Sequence, residues 1–489
     1  MSYQVVSTLP LNGVEKFMCV DGGWNTIAHT AHLTGNPSVL INNMANTVQC
    51  LLKRHPRMRT RIRVDENQYF IDNLEYNREY LPSDLFVSVT EMTNESWQEV
   101  VESGCNRDPY TNNGTIIFPT FRFTILVNPQ PTDVQSFHLI LFQNHCVSDG
   151  QSGFILINDF LTLSTSPNLM EISEPLNTEI LPLIGSLIPR PYGPLYHAMS
   201  FIAKRIILKE LRQLGQPRIP VKVIPHDECE LTRFQVQRYK MKFLFASSST
   251  DLFSKLHRQS RLHNVTLNGP LLGCFLLAIH HCFPLKDKTR LEPFEVGTPF
   301  NMRSRLPGSP LTPLSVGCFI GAGEFKLKRA LSIQSTHFWS LAYQCMTITR
   351  DQLKQSRLPL AMNIFADVLA NQHEFSRIAQ LFPEGRQSEI AFSNVGKYPF
   401  PCEYNHGEVR LSGIHVINSV SGYRNSSGVY ATCTDNGQLD FAMAHEMESN
   451  EIAKHFLDYY LCLIEICADS ERCKIETTLG ELLQMVEFQ

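Results

Sequence analysis

The sequence predicts an α/β protein of two lobes, each a mixed β-sheet flanked by helices. Segments of helical and of strand periodicity alternate along both halves, which is the pattern of a mixed layer. A proline-rich stretch from about Glu174 to Val223 interrupts that alternation near the middle. The 489 residues also exceed what one hydrophobic core organises. The predicted division is a first lobe over 1–180, a crossover linker over 181–223 and a second lobe over 224–489.

The elements follow in order. Val39, Leu40, Ile41, Met44, Val48, Leu51 and Leu52 recur at helical spacing, so Pro37–Leu52 is predicted as a helix that stops at the basic turn KRHPRMR. A strand over RTRIRV follows. Phe121–Val127 and Phe137–Phe142 are rich in aromatic and β-branched residues, and the second is almost continuously apolar, as an interior strand is. Gln151–Leu163 is predicted as a helix. Within the crossover, Leu195–Leu214 reads as a basic amphipathic helix, with Lys204, Arg205, Lys209 and Arg212 beside Phe201, Ile202, Ile206 and Ile207. A connector packing its apolar face on its own protein is the preferred reading, and peripheral contact with a membrane surface is the alternative. The cluster Ser247-Ser248-Ser249-Thr250-Asp251 offers an N-cap to a helix ending near Leu262. Val265–Cys282 is apolar enough to lie at the centre of the second lobe. Strands are expected over Phe294–Thr298, Ser388–Phe392 and Leu439–Ala444, and a closing helix over Ile452–Ala468. No internal repeat or low-complexity segment stands out.

Composition narrows the function. Forty-three basic and 47 acidic residues give a net charge of −4, too balanced for a protein that neutralises nucleic-acid phosphates. No stretch reaches the ~18 apolar residues of a membrane span, and MSYQVVSTLPLNGVEKF does not read as a signal peptide, so a cytoplasmic location is expected. The 14 cysteines are scattered without a CxxC pair, which favours buried thiols in a reducing compartment. Sequons at Asn94, Asn113, Asn264 and Asn425 then count as chance matches. His29-x-x-His32, His280-His281 and His445-Glu446 lack a third ligand at a familiar spacing, so no metal site is predicted.

The chemistry concentrates in His145-Cys146-Val147-Ser148-Asp149-Gly150, between the apolar strand FHLILFQ and the next helix. A histidine leaving a buried strand on a tight turn is held rigidly and can face a cleft. Imidazole, with an unperturbed pKa of ~6.5, accepts and returns a proton near neutrality, so His145 is the candidate general base. Cys146 is the rival nucleophile, but an adjacent residue of an extended segment points the other way.

Several segments, taken together and in order, resemble the coenzyme-A-dependent acyltransferase superfamily with the HxxxD(G) motif. That superfamily includes chloramphenicol acetyltransferase, the plant BAHD enzymes, alcohol acetyltransferases, polyketide-associated acyltransferases and peptide-synthetase condensation domains. Arg54-His55-Pro56-Arg57-Met58-Arg59 looks like RHPxLR, Pro119-Thr120-Phe121-Arg122 like PLxR, and HCVSDG is the signature itself. Asn301-Met302-Arg303-Ser304-Arg305 resembles NxRxR, followed by the glycine-rich Gly317–Gly323; Ser393-Asn394-Val395-Gly396 resembles SN(I/V)G, and Asp435–Leu439 the late dGxL strand. The plant DFGWG motif is missing. Asn144 also stands where wax-ester synthases and condensation domains carry a second histidine.

The resemblance implies two chloramphenicol-acetyltransferase-like lobes with a tunnel at their interface. It implies acyl transfer from acyl-CoA, a co-substrate rather than a resident cofactor, to a hydroxyl of a small molecule by a monomeric enzyme. N-acylation or a carrier-protein donor are the alternatives, and a non-catalytic binding protein is a third. It further implies that Asp149 pairs with Arg303 instead of orienting His145, the two fixing the loop together with Gly150. Ser393, Asn394 and Asn301 are the candidates for oxyanion or substrate contact.

Overall fold

The computed structural model describes residues 3–487 apart from 21–24, 66–67, 93–94, 108, 112–114, 130–134, 167–174, 189–194, 214–240, 284, 286, 307, 355–363, 365–389, 420–426 and 448. The sequons at Asn94, Asn113 and Asn425 and much of the proline cluster lie outside the described residues.

Two six-stranded mixed sheets organise the chain. The first runs, in order, Glu403–Tyr404, Val409–Asn418, Thr26–Gly35, Gln135–Asn144, Phe121–Val127, Val87–Glu91. The continuous apolar character of Gln135–Asn144 has a simple cause: both of its faces are buried. Phe137, Leu139 and Leu141 enter the first core, whereas Ile140 and Phe142 join a seam between the lobes. Ser38–Arg54 and Gly150–Ser164 cover the core face and pack on each other. A five-stranded antiparallel sheet containing Thr60–Asp65 lies alongside.

The second sheet runs Lys242–Ser247, Leu439–His445, Ser427–Cys433, Ile390–Lys397, Val296–Asn301, Ile320–Phe325. The helix Asn268–Cys282 sits at the centre of this lobe, buried from Gly269 to His280 between Phe338–Lys354 and Asn450–Ala468. Met241, Phe243, Tyr430, Ala442 and Ala444 reach across to Ala28, Ile140 and Phe142 to close the seam.

Three features differ from the sequence expectations. First, Val409–Asn418 leaves the second half of the chain and pairs along the whole of Thr26–Gly35, from Val409↔Gly35 to Asn418↔Ile27. It also packs on Ser427–Cys433 and Leu439–His445, so one strand serves both lobes. Buried Asp440 holds it there, accepting from the Ile414 N–H at 2.9 Å and the Ser247 hydroxyl at 2.7 Å. Second, among the described side chains of the helix Leu195–Gln213 several apolar ones face outward. Leu195, Phe201, Ile202 and Ile206 are exposed with Arg205 and Lys209 among them, while Ser200 is buried. Third, Asp251 precedes Leu252–Leu262 without capping it and bonds the Ser249 hydroxyl and Lys255 instead.

The RHPRMR turn is structural. Arg57 donates to the carbonyl of Leu181 at 2.6 Å, and Arg59 to those of Leu52 and of Asn177, the last at 2.7 Å. These bonds pin the start of the crossover to the end of the first long helix.

Replacing Asp440 by Ala should strand the buried Ile414 N–H and lower stability by about 1–3 kcal/mol. Urea unfolding checks this, and an unchanged midpoint would contradict it.

Candidate active site

His145 follows Gln135–Asn144 directly. Its backbone N–H donates to the Asn25 carbonyl at 2.6 Å, which continues the strand pairing one residue beyond the sheet. The ring Nδ1 lies 2.8 Å from the Ser148 carbonyl. A carbonyl only accepts, so Nδ1 carries the proton and Nε2 the lone pair.

A second chain of bonds fixes the Ser148 carbonyl. The Ser148 hydroxyl donates to the Gln143 side-chain oxygen, and the Gln143 amide nitrogen donates to His29 Nδ1 at 3.0 Å. His29 Nε2 therefore bears hydrogen and donates to the Gly150 carbonyl at 2.8 Å. Burial lowers the His29 pKa to about 4, so the ring stays neutral as this pattern requires. The ring lies against the helix Gly150–Ser164 at Gly153, where a Cβ would approach it to 2.1 Å.

The Asp149 side chain caps that helix by accepting the Ser152 N–H at 2.8 Å. Its two oxygens also take Arg303 in a bidentate pair, Nη1 to Oδ2 at 2.8 Å and Nη2 to Oδ1 at 2.9 Å, and the Phe319 N–H at 2.8 Å. The two side chains are 1% and 3% exposed. Burial raises the carboxyl pKa, but Arg303 and the two N–H groups outweigh it and hold Asp149 below the ordinary range. Arg303 Nε donates to the Ser315 carbonyl, and Nη2 to the Ser152 hydroxyl, each at 2.9 Å. The polar positions of this pair are thus occupied, partly by bonds within each half of the chain and partly by bonds between the halves.

His145, Asp149, Gly150, Asn301, Arg303, Ser393 and Asn394 all line one cavity of about 240 Å³. The structure therefore brings together every residue named from the sequence. Asn301 commits its side-chain oxygen to the Arg303 backbone N–H at 3.1 Å, so it braces Arg303. Asn394 reaches Asn268 at 3.4 Å. The Ser393 hydroxyl bonds no other described residue. Cys146 lies in the first core with no exposure, where burial and then Cys19 push its thiol well above its ordinary pKa. Asp149 bonds Arg303 and not the His145 ring.

Sequence reasoning missed Gln143 and His29, and the walls made by Phe17, Met18, Val416, Asn418, Ser419 and Tyr430. One signal was available for Gln143: it is the polar residue that ends the run FHLILF, two positions before His145. His32 meets His138 at 3.1 Å and His415 at 2.7 Å across neighbouring strands. Among the described residues no group of three or more His, Cys, Asp or Glu is placed to hold a metal ion.

The family model for alcohol acetyltransferase matches residues 194–467, more than half of the chain. The chain belongs to the alcohol acetyltransferase family. Its activity is accordingly acyl transfer, with an acyl donor and an acceptor as substrates. No curated protein sequence matches it. Solved structures match in fold over nearly the whole chain. Trichothecene 15-O-acetyltransferase from Fusarium sporotrichioides is 13% identical with a TM-score of 0.69, over 95% of this chain and 98% of that one. Polyketide synthase associated protein 5 from Mycobacterium tuberculosis is 14% identical with a TM-score of 0.63, over 96% and 100%. The condensation domain of the monacolin K polyketide synthase is 11% identical with a TM-score of 0.62, over 97% and 100%. This alcohol acetyltransferase family member thus has the two-lobed, chloramphenicol-acetyltransferase-like architecture. No described helix is long and apolar enough to cross a membrane.

Asp149→Ala and Arg303→Ala should each cost about 3–5 kcal/mol, because each strands a buried charge. The double mutant should lose less than the sum, and additive losses in urea titrations would mean the pair is uncoupled. Two pH windows should also separate. The folded pKa of Asp149 is depressed, so its contribution is complete above the unfolded carboxyl range and vanishes as pH falls through the lower folded value; Asp149→Asn should flatten acid unfolding there. The His29 pKa is lowered from 6.5 to about 4, so stability from its neutral ring declines between those values, and His29→Gln should flatten that window alone.

Proposed function

We propose that this protein transfers a short or medium acyl group, acetyl among them, from acyl-CoA to a hydroxyl of a small molecule, with His145 as general base. The observation that carries the reading is the contact of His145 Nδ1 with the Ser148 carbonyl in a ring that lines the cavity. Its Nδ1 hydrogen is committed to the Ser148 carbonyl, and its Nε2 lone pair belongs to a ring on the cavity wall.

With donor and acceptor both bound, Nε2 takes the hydroxyl proton as the oxygen attacks the thioester carbonyl. The tetrahedral oxyanion collects its negative charge near Ser393, whose hydroxyl is available to donate, with Asn394 beside it. Collapse breaks the carbon–sulfur bond, and the imidazolium returns the proton to the thiolate. An ester and a free thiol result, and His145 is restored. Ser148 and Gln143 keep the tautomer constant through the cycle, while Asp149 and Arg303 hold the loop. Positioning both substrates in one cavity supplies much of the remaining rate.

A carrier-protein donor is the second reading, supported by the fold shared with condensation domains. Peripheral membrane contact through Leu195, Phe201, Ile202 and Ile206, with Arg205 and Lys209 facing anionic headgroups, belongs to the same proposal.

His145→Ala should lower turnover by ~10²–10⁴-fold with folding and donor binding intact, whereas Cys146→Ala keeps most activity. Thiol release from acyl-CoA measures both, and the reverse pattern would transfer the chemistry to Cys146. Acyl-CoA against an acylated carrier protein separates the two donors. Sedimentation with phosphatidylserine vesicles should fall on replacing Phe201 and Ile202 by Ser; equal recovery of both proteins would remove the membrane contact.

A further inference from the structure

A second cavity, of about 160 Å³, opens beside the first at the same end of the sheet. Neighbouring residues of one strand pair divide the two. Thr26 and Asn144, cross-strand partners, line the second cavity, and the residues that follow them, Ile27 and His145, line the first.

Two arginines line this second cavity, Arg107 and Arg122. Neither forms an ion pair or a side-chain hydrogen bond with any described residue. Arg122 lies opposite Phe142 in the strand register and stacks on it, its guanidinium carbon 5.5 Å from the ring centroid. The stack has been given room: Gly104 sits where a Cβ would meet the Phe142 ring at 2.3 Å. Arg122 is half-buried, and burial followed by the neighbouring charge of Arg107 makes its charged form less favourable than usual. Arg107 follows the helix Trp97–Cys105, whose C-terminal end offsets roughly half a charge. Among the described residues no carboxylate pairs with the second cation or lines the cleft. Like charges held together there are stabilised by an anion between them, and a planar guanidinium on an aromatic face is oriented for bidentate contact with tetrahedral oxygens. The rest of the lining mixes hydroxyls and amides, Thr111 and Asn144 among them, with apolar residues such as Ile117 and Phe118.

We infer that Arg107 and Arg122 form a phosphate-binding site beside the reaction cavity. Two sources share that chemistry: the phosphates of a coenzyme A donor, and a separate phosphorylated small molecule. Only the first rests on the function proposed above.

Isothermal titration of the full chain with inorganic pyrophosphate at low salt tests the site, and performing it on His145→Ala protein makes the result independent of the catalytic assignment. Wild-type affinity should weaken about tenfold or more in Arg107→Gln and in Arg122→Gln, since each removes a charge-assisted contact. Arg122→Lys should keep part of it. Arg107 is exposed, so its variant reports on the site even if Arg122→Gln folds poorly. If coenzyme A displaces pyrophosphate and Arg107→Gln weakens coenzyme A but not pantetheine, the phosphate belongs to the donor. If pyrophosphate binds alongside coenzyme A and both Gln variants lose only pyrophosphate, it belongs to a separate molecule. No binding by the wild type, or affinity unchanged in both Gln variants, would overturn the site.

Discussion

The buried pair of Asp149 and Arg303 is the constraint on which the rest of the site depends. A carboxylate and a guanidinium taken from water lose several kcal/mol each in hydration, and their attraction offsets this only when geometry and remaining hydrogen bonds are complete. Here they are. Asp149 accepts from Arg303 twice and from the N–H groups of Ser152 and Phe319, while Arg303 also donates to Ser315 and Ser152. A pair of this kind adds less to stability than it does to uniqueness, because any displacement of the second half exposes an uncompensated charge. The loop carrying His145 is therefore tied to residues more than 150 positions away.

The neutral network on the other side of His145 has a different logic. Gln143, His29 and Ser148 carry no net charge, and the bonds among them fix one orientation for each. Reversing any member would place two donors or two acceptors in contact. The Ser148 carbonyl, not this network, selects which nitrogen of His145 holds hydrogen, and burial keeps His29 neutral down to about pH 4. Charge fixes where the loop is; neutral hydrogen bonding fixes which face of the imidazole is basic.

Much of this was legible in the sequence because it is local. The helix after the motif, the strand before it and the central helix of the second lobe all follow from periodicity and apolar runs, and their bounds differ from expectation by one to three residues. The partnership of Asp149 with Arg303 came from resemblance, since nothing in the spacing of two residues so far apart encodes it. The strand Val409–Asn418 was not foreseen, because an alternating segment states that it has two faces and not which sheet edge it will join. Nor was the exposure of Leu195, Phe201, Ile202 and Ile206, since the pattern of a helix that packs on its own protein and one that does not is the same. His29 was weighed only as a metal ligand, and its contact with Gln143 arises from side chains on adjacent strands.

The strand shared between the lobes bears on the order in which the protein can be made. Thr26–Gly35 leaves the ribosome some 370 residues before its partner Val409–Asn418. Until then the first sheet has one long edge of unpaired backbone groups, rich in Ile27, Ala28, Ala31 and Leu33, open to pairing with another chain. Completion of the first lobe thus waits for the second half of the chain, and the lobes cannot mature one after the other as independent domains do. Holding that edge apart from its neighbours during synthesis is a task for chaperones, and expression conditions that slow encounter between nascent chains favour the soluble product.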